Sequence, residues 1–290
     1  MASGPVVAID QGSGSSRSEV RFEFGKNWRQ FLRSLDEEKI VEAEKSLRVM
    51  LEIDNLIGKS FLDIGLGSGL FSLAAMRLGA SRVHSFDYDP QSVACGQELK
   101  RRFFPQTHIW TIEQGSVLDL IYFSHLGQFD VVYSWGVLHH TGNMWRALEN
   151  VLPSVAPNGK LFLALYNDQG VFSRYWAVVK RLYNRKIFWR PAIVIIFGSY
   201  FVMRGLIFDV FVRHKNPLNR HKHYQSLRGM SFFTDLIDWV GGYPFEVAKP
   251  EAVLDFFRRE GFELVKLATV GGRNGNNEFV FARCADSPRQ

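Results

Sequence analysis

Hydrophobic and polar positions along the chain alternate between two periods. In EEKIVEAEKSLRVML, Ile40, Ala43, Leu47 and Leu51 recur at spacings of three and four, so an amphipathic helix is predicted, within a helical stretch from about Phe24 to Leu51. The run from Ser60 to Ile64 predicts a strand, and FSLAAMRLGA after it a helix that Gly79 stops. The alternation continues through RVHSFDYD (strand), PQSVACGQELKRRF (helix), HIWTIEQGS and FDVVYSWG (strands), NMWRALENVLPSV (helix) and GKLFLALYN (strand). Beyond Val247, PEAVLDFFRREGF reads as helix, and ELVKLATV and NEFVFAR as strands joined by GGRNGN, whose residues suit a hairpin. Strands alternating with helices imply right-handed crossovers and a mostly parallel sheet covered on both faces. The predicted class is α/β, a doubly wound seven-stranded sheet that ends in an antiparallel strand pair.

From about Val171 to Tyr243 long aromatic and basic helical stretches interrupt this rhythm. The predicted organisation is a flexible Gly- and Ser-containing leader (1–20), N-terminal helices and a ligand-binding core (21–170), an inserted helical lid (171–244) and a C-terminal completion of the sheet (245–290). The lid's most apolar part, AIVIIFGSYFVM, runs about 12 residues before Arg204, short of the roughly 20 a spanning helix needs, so no crossing is predicted. The N-terminus lacks the order of a secretory signal, and Cys95 and Cys284 lack disulfide or metal spacing; a cytoplasmic protein is expected. Its 290 residues are 46% hydrophobic, enough for one large core. The net charge of +6 is unevenly spread: Val171 to Met230 holds 12 Lys and Arg against one acid, Asp209.

The stretch FLDIGLGSGL places Gly65, Gly67 and Gly69 between a strand and a helix, at the sheet edge where such folds bind ligands. A GxGxxG dinucleotide fingerprint would need glycine at 70, where Leu70 stands, and Gly58-Lys59-Ser60 precedes its strand with Ile53 where a phosphate loop needs glycine. The next strand ends at Phe86-Asp87, 22 residues after Gly65, where a carboxylate can accept both ribose hydroxyls of an adenosine; Tyr88 follows it. Asp89, ahead of Pro90, is the better helix cap. After the third strand, the Ser116 and Val117 backbone is placed to read an adenine edge and Asp119 to accept from its amine.

Together these elements resemble the class I S-adenosylmethionine-dependent methyltransferases. Within them VVYSWGVLHHTGNMWRAL resembles the small-molecule and quinol type of the ubiquinone-biosynthesis kind, and FGKNWRQF and DWVGGYPFEVAKPEAV resemble bacterial proteins grouped with these. The resemblance implies S-adenosylmethionine as cofactor. It places the glycine loop at its methionine end and Asp87 on its ribose, with Asp63 either touching the ammonium or fixing the loop. Methyl transfer needs positioning and, for some acceptors, a base, so His139 or His140 is the base candidate, the alternative being a histidine bonded to backbone. Trp135, with Tyr166 or Tyr133, offers a π face to a sulfonium or an aromatic acceptor. Trp28 is expected over the cofactor mouth, and Arg174 and Tyr175 of the lid beside the acceptor. No Asn/Asp-Pro-Pro-Tyr tetrad is present, which disfavours nucleobase amines. The interleaved aromatics and cations of the lid suit a small or lipid-like, anionic acceptor methylated on oxygen or, next, carbon, or an anionic membrane met through 171–230. An RNA methyltransferase and a cofactor-binding partner subunit without catalysis are the rival readings. His214, His221 and His223 lie among cations, so no metal site is predicted.

Overall fold

The computed structural model describes residues 22, 24–185, 187–211 and 232–285. Seven strands, β1 (Ser60–Ile64), β2 (Arg82–Asp87), β3 (Trp110–Gln114), β4 (Phe129–Trp135), β5 (Val155–Tyr166), β6 (Phe262–Ala268) and β7 (Asn276–Arg283), form one sheet. Their order is β3-β2-β1-β4-β5-β7-β6. The first five are mutually parallel and β7 runs antiparallel to both β5 and β6, as the alternation and the closing hairpin predict. The order reverses between β1 and β4, and such a reversal opens a crevice at the carboxyl ends of the strands.

Both faces of the sheet are buried, so its central strands read as continuous apolar runs. Phe61 of β1 packs with Leu47 of α2 (Glu37–Leu51), Leu73 of α3 (Leu70–Arg77) and Leu99 of α4 (Pro90–Phe103) on one side. Leu62 turns to the other, with Phe123 of α5 (Leu120–Leu126), Ala147 of α6 (Met144–Val151) and Phe257 of the last helix, Pro250–Arg259. The single helix expected from Phe24 to Leu51 is two, because Asp36 adopts an extended conformation and its side chain accepts the Lys39 N–H at 2.9 Å. That cap starts α2 afresh after α1 (Gly25–Arg33).

Between β5 and β6 the chain adds α7 (Val171–Arg185), α8 (Arg190–Phe211) and α9 (Phe232–Gly241), followed by Pro250–Arg259 as α10. Trp176, Tyr183, Ile193, Leu236 and Val240 give the inserted helices a small core of their own. Helix α8 corrects the sequence estimate of a 12-residue apolar run. It spans 22 residues, and Arg190–Ile207 within it is long and apolar enough to cross a membrane by length and composition. Arg204 does not end the helix, since a long charged side chain leaves the backbone ladder intact and GLIF extends the apolar pattern. The leader (1–20) and the histidines of HKNPLNRHKH fall outside the described residues.

Candidate active site

A cavity of about 450 Å³ opens at the reversal of strand order, bordered by the turns after β1, β2, β3 and β4 and roofed by α1. The glycine turn after β1 shapes its floor. Gly65 has φ +76°, and a Cβ there would stand 2.4 Å from Cγ1 of Val137, so no other residue fits. The Gly67 N–H donates to the Asp87 carboxylate (3.0 Å), which joins the tips of β1 and β2. Asp87 also accepts the Asp89 N–H (2.8 Å). Burial nonetheless raises its pKa to about 6, the two N–H donors offsetting part of the desolvation.

Asp63 lies beneath the turn at the end of a buried polar chain. Trp110 Nε1 donates to Ser85 Oγ (3.0 Å), Ser85 Oγ lies 2.7 Å from Ser72 Oγ, and Ser72 Oγ donates to the Asp63 carboxylate. Desolvation raises the Asp63 pKa to about 7, with the nearby Asp87 charge acting the same way and the Ser72 hydroxyl opposing. The wall also holds two buried polar atoms that make no hydrogen bond among the described residues, the Tyr133 hydroxyl and Asn276 Oδ1.

The two histidines after β4 have opposite roles. His140 lines the cavity, and its Nδ1 lies 2.6 Å from the Pro244 carbonyl. A carbonyl only accepts, so Nδ1 carries the proton and Nε2 keeps its lone pair. Burial and the Lys180 charge push its pKa down to about 3, against the Pro244 bond, so the ring is neutral at physiological pH. His139 is fully buried outside the cavity lining, and its Nδ1 accepts the Tyr166 N–H at 3.3 Å. Its pKa is likewise lowered, first by burial. Above the glycine turn, the Trp28 ring approaches Gly67 so closely that a Cβ there would lie 3.1 Å from it. The Gly25 N–H donates to Asp89 Oδ2 (2.8 Å) and ties this roof to α4.

A family model described as a methyltransferase domain matches residues 62–163, the segment that carries the glycine turn, Asp87 and both histidines. These residues are matched as a methyltransferase domain. Over 105 residues the chain is 31% identical to ribosomal protein L11 methyltransferase of Bacillus cereus (strain Q1), which covers 32% of this chain and 33% of that protein. The chain therefore matches about a third of the length of such curated relatives. In fold it is similar to the N-methyltransferase NodS from Bradyrhizobium japonicum WM9 (15% identity, TM-score 0.50, 90% of this chain and 98% of that one). It is also similar to the 4+2 cyclase SpnF (12% identity, TM-score 0.52, 85% and 81%). At these identities the likeness is one of architecture.

Within the methyltransferase domain the cavity gathers Asp63, Gly65, Gly67, Asp87, Tyr88, Ser116, Val117, Trp135 and His140, with Trp28 and Tyr166 from outside it. It does not gather Gly69, Asp119, His139, Arg174 or Tyr175. Gly69 is the N-cap of α3, and a Cβ there would stand 3.0 Å from Gly96 Cα, so its role is the close approach of α3 and α4. Asp119 caps α5, its Oδ1 accepting the Ile121 and Tyr122 N–H groups at 3.0 and 3.1 Å, and lies outside the cavity lining where an adenine contact was expected. Arg174 and Tyr175 lie on the exposed face of α7, because the opposite face is held inward by Trp176. Phe22, Phe24, Thr141 and Tyr243 line the cavity without having been singled out in the sequence. Only FGKNWRQF and DWVGGYPFEVAKPEAV, which contain Phe24 and Tyr243, gave any signal. Trp135 donates its Nε1–H to Glu278 (2.8 Å), which fixes its ring at the rim.

Proposed function

We propose that the protein binds S-adenosylmethionine in this cavity and transfers its methyl group to a small, largely apolar acceptor, on oxygen. The observation that carries the reading is the placement of Asp87, a carboxylate at the tip of β2, one strand from the bare backbone of the β1 turn and facing the same space. Two neighbouring strands then hold the two ends of one molecule, the ribose diol at Asp87 and the methionine end at the glycine turn, with Asp63 beneath it for the ammonium. The lining fits such a group: Gly65, Gly67 and Asp87 border one cavity of about 450 Å³, and Asn276 Oδ1 offers a hydrogen-bond site.

The bound cofactor supplies an electrophilic methyl group on a cationic sulfur. The protein's part is placement. Trp135 and Tyr166 turn aromatic surface toward the cavity, which favours a cation and a greasy acceptor alike. His140 Nε2, the unprotonated nitrogen, accepts a hydrogen bond from the acceptor's O–H. It takes the proton as the new C–O bond forms and the C–S bond breaks. Phe22, Phe24 and Trp28 cover the site against water.

Titration calorimetry on the full chain tests the reading, with micromolar binding expected for S-adenosylmethionine and for S-adenosylhomocysteine. Asp87→Asn, which removes a charge-assisted acceptor, is expected to weaken both by about tenfold or more. No heat with either nucleoside would overturn it.

A further inference from the structure

We infer that α8 is an interfacial helix that seats the protein on an anionic bilayer, lying in the headgroup region without crossing it. This does not rest on the proposed methyl transfer. Along α8, Ile193, Phe197 and Phe201 recur every fourth residue and pack with Trp176 and Leu236, which fixes one arc of the helix to the protein. The opposite arc carries Ile195, Ile196, Tyr200, Val202, Met203 and Ile207, all exposed, and the turn ahead of it exposes Phe188 and Trp189. An exposed apolar surface this continuous marks an interaction site.

Charge names the occupant. From Val171 to Ile207 the chain has seven Lys and Arg and no acid. Arg174, Arg181 and Arg185 are exposed along α7, which packs beside α8 with its Tyr175 ring 6.4 Å from that of Phe197, so a basic rail lies on the neighbouring helix. Apolar and aromatic side chains flanked by arginines match the acyl boundary and headgroups of an anionic membrane. A symmetric contact with a second copy would bring this basic rail against itself. A spanning helix would need lipid or apolar protein all round, whereas α8 has one arc docked on this domain and Arg204 exposed within it.

Co-sedimentation of the full-length protein with vesicles tests the inference. Binding is expected to vesicles of phosphatidylcholine and phosphatidylglycerol at roughly 3:1, and to be far weaker with phosphatidylcholine alone. The double variant Ile196→Glu/Met203→Glu is expected to lose vesicle binding by about tenfold or more. Both positions are exposed, so its thermal melt and nucleoside binding should match the wild type. Alkaline carbonate should release the bound protein. Four results would overturn the inference: undiminished vesicle binding by the variant, retention after carbonate, a dimer that the variant dissociates without any vesicle binding, or RNA binding without vesicle binding.

Discussion

Asp63 shows how a single residue's environment sets its chemistry. Each hydroxyl in the chain from Trp110 through Ser85 and Ser72 accepts one hydrogen bond and donates the next, so the carboxylate receives the end of a relay without facing water. With its folded pKa near 7, well above the ordinary value near 4, folded Asp63 binds more protons than the unfolded chain between these limits. Its contribution to stability therefore falls as pH rises through that window. The Tm of the wild type relative to Asp63→Asn should drop between pH 5 and pH 8, and thermal melts in matched buffers will show it. His140 obeys the opposite sign, staying neutral down to about pH 3, so turnover should show no loss from imidazole protonation near pH 6.5. The activity loss on acidification should instead track Asp87, near 6, as cofactor affinity weakens. His140→Ala should lower turnover by about a hundredfold while the calorimetric affinity for the nucleoside changes little. Asp87 was legible in the sequence because its position, at the end of a strand beside a glycine turn, is itself the signal. Which of His139 and His140 faces the cavity was not, because it is decided by a carbonyl 104 residues away, at Pro244.

Among the elements, α5 separates a structural acid from a functional one. In the sequence, an Asp after the third strand serves equally as an adenine contact or a helix cap. The geometry assigns Asp119 to the cap, where Oδ1 holds two N–H groups. Asp119→Ala should then cost about 1 kcal/mol in stability by chemical denaturation and leave nucleoside affinity unchanged. The strands were legible because two-faced burial leaves continuous apolar runs, and the α1–α2 break was not, because the helical period passes through Ser34–Asp36 almost undisturbed. Helix α8 was underread for a related reason. A window that stops at the first charge misses a helix whose backbone carries that charge outward.

For the whole molecule, the parallel sheet follows from the alternation, and the crevice from the strand order the structure adds. Of the roof, the linear pattern contained Trp28 alone, whereas Phe22 and Tyr243 reach the cavity only through tertiary packing. Trp28→Ala should raise the nucleoside's dissociation rate more than it lowers the association rate, as stopped-flow fluorescence will measure. Asp89 divides its two oxygens between these layers: Oδ1 holds the Gln91 N–H at the start of α4, and Oδ2 holds the Gly25 N–H at the start of α1. One carboxylate thus fastens the first turn of α4 and the start of the cover above it, so a change at Asp89 is felt in both storeys at once.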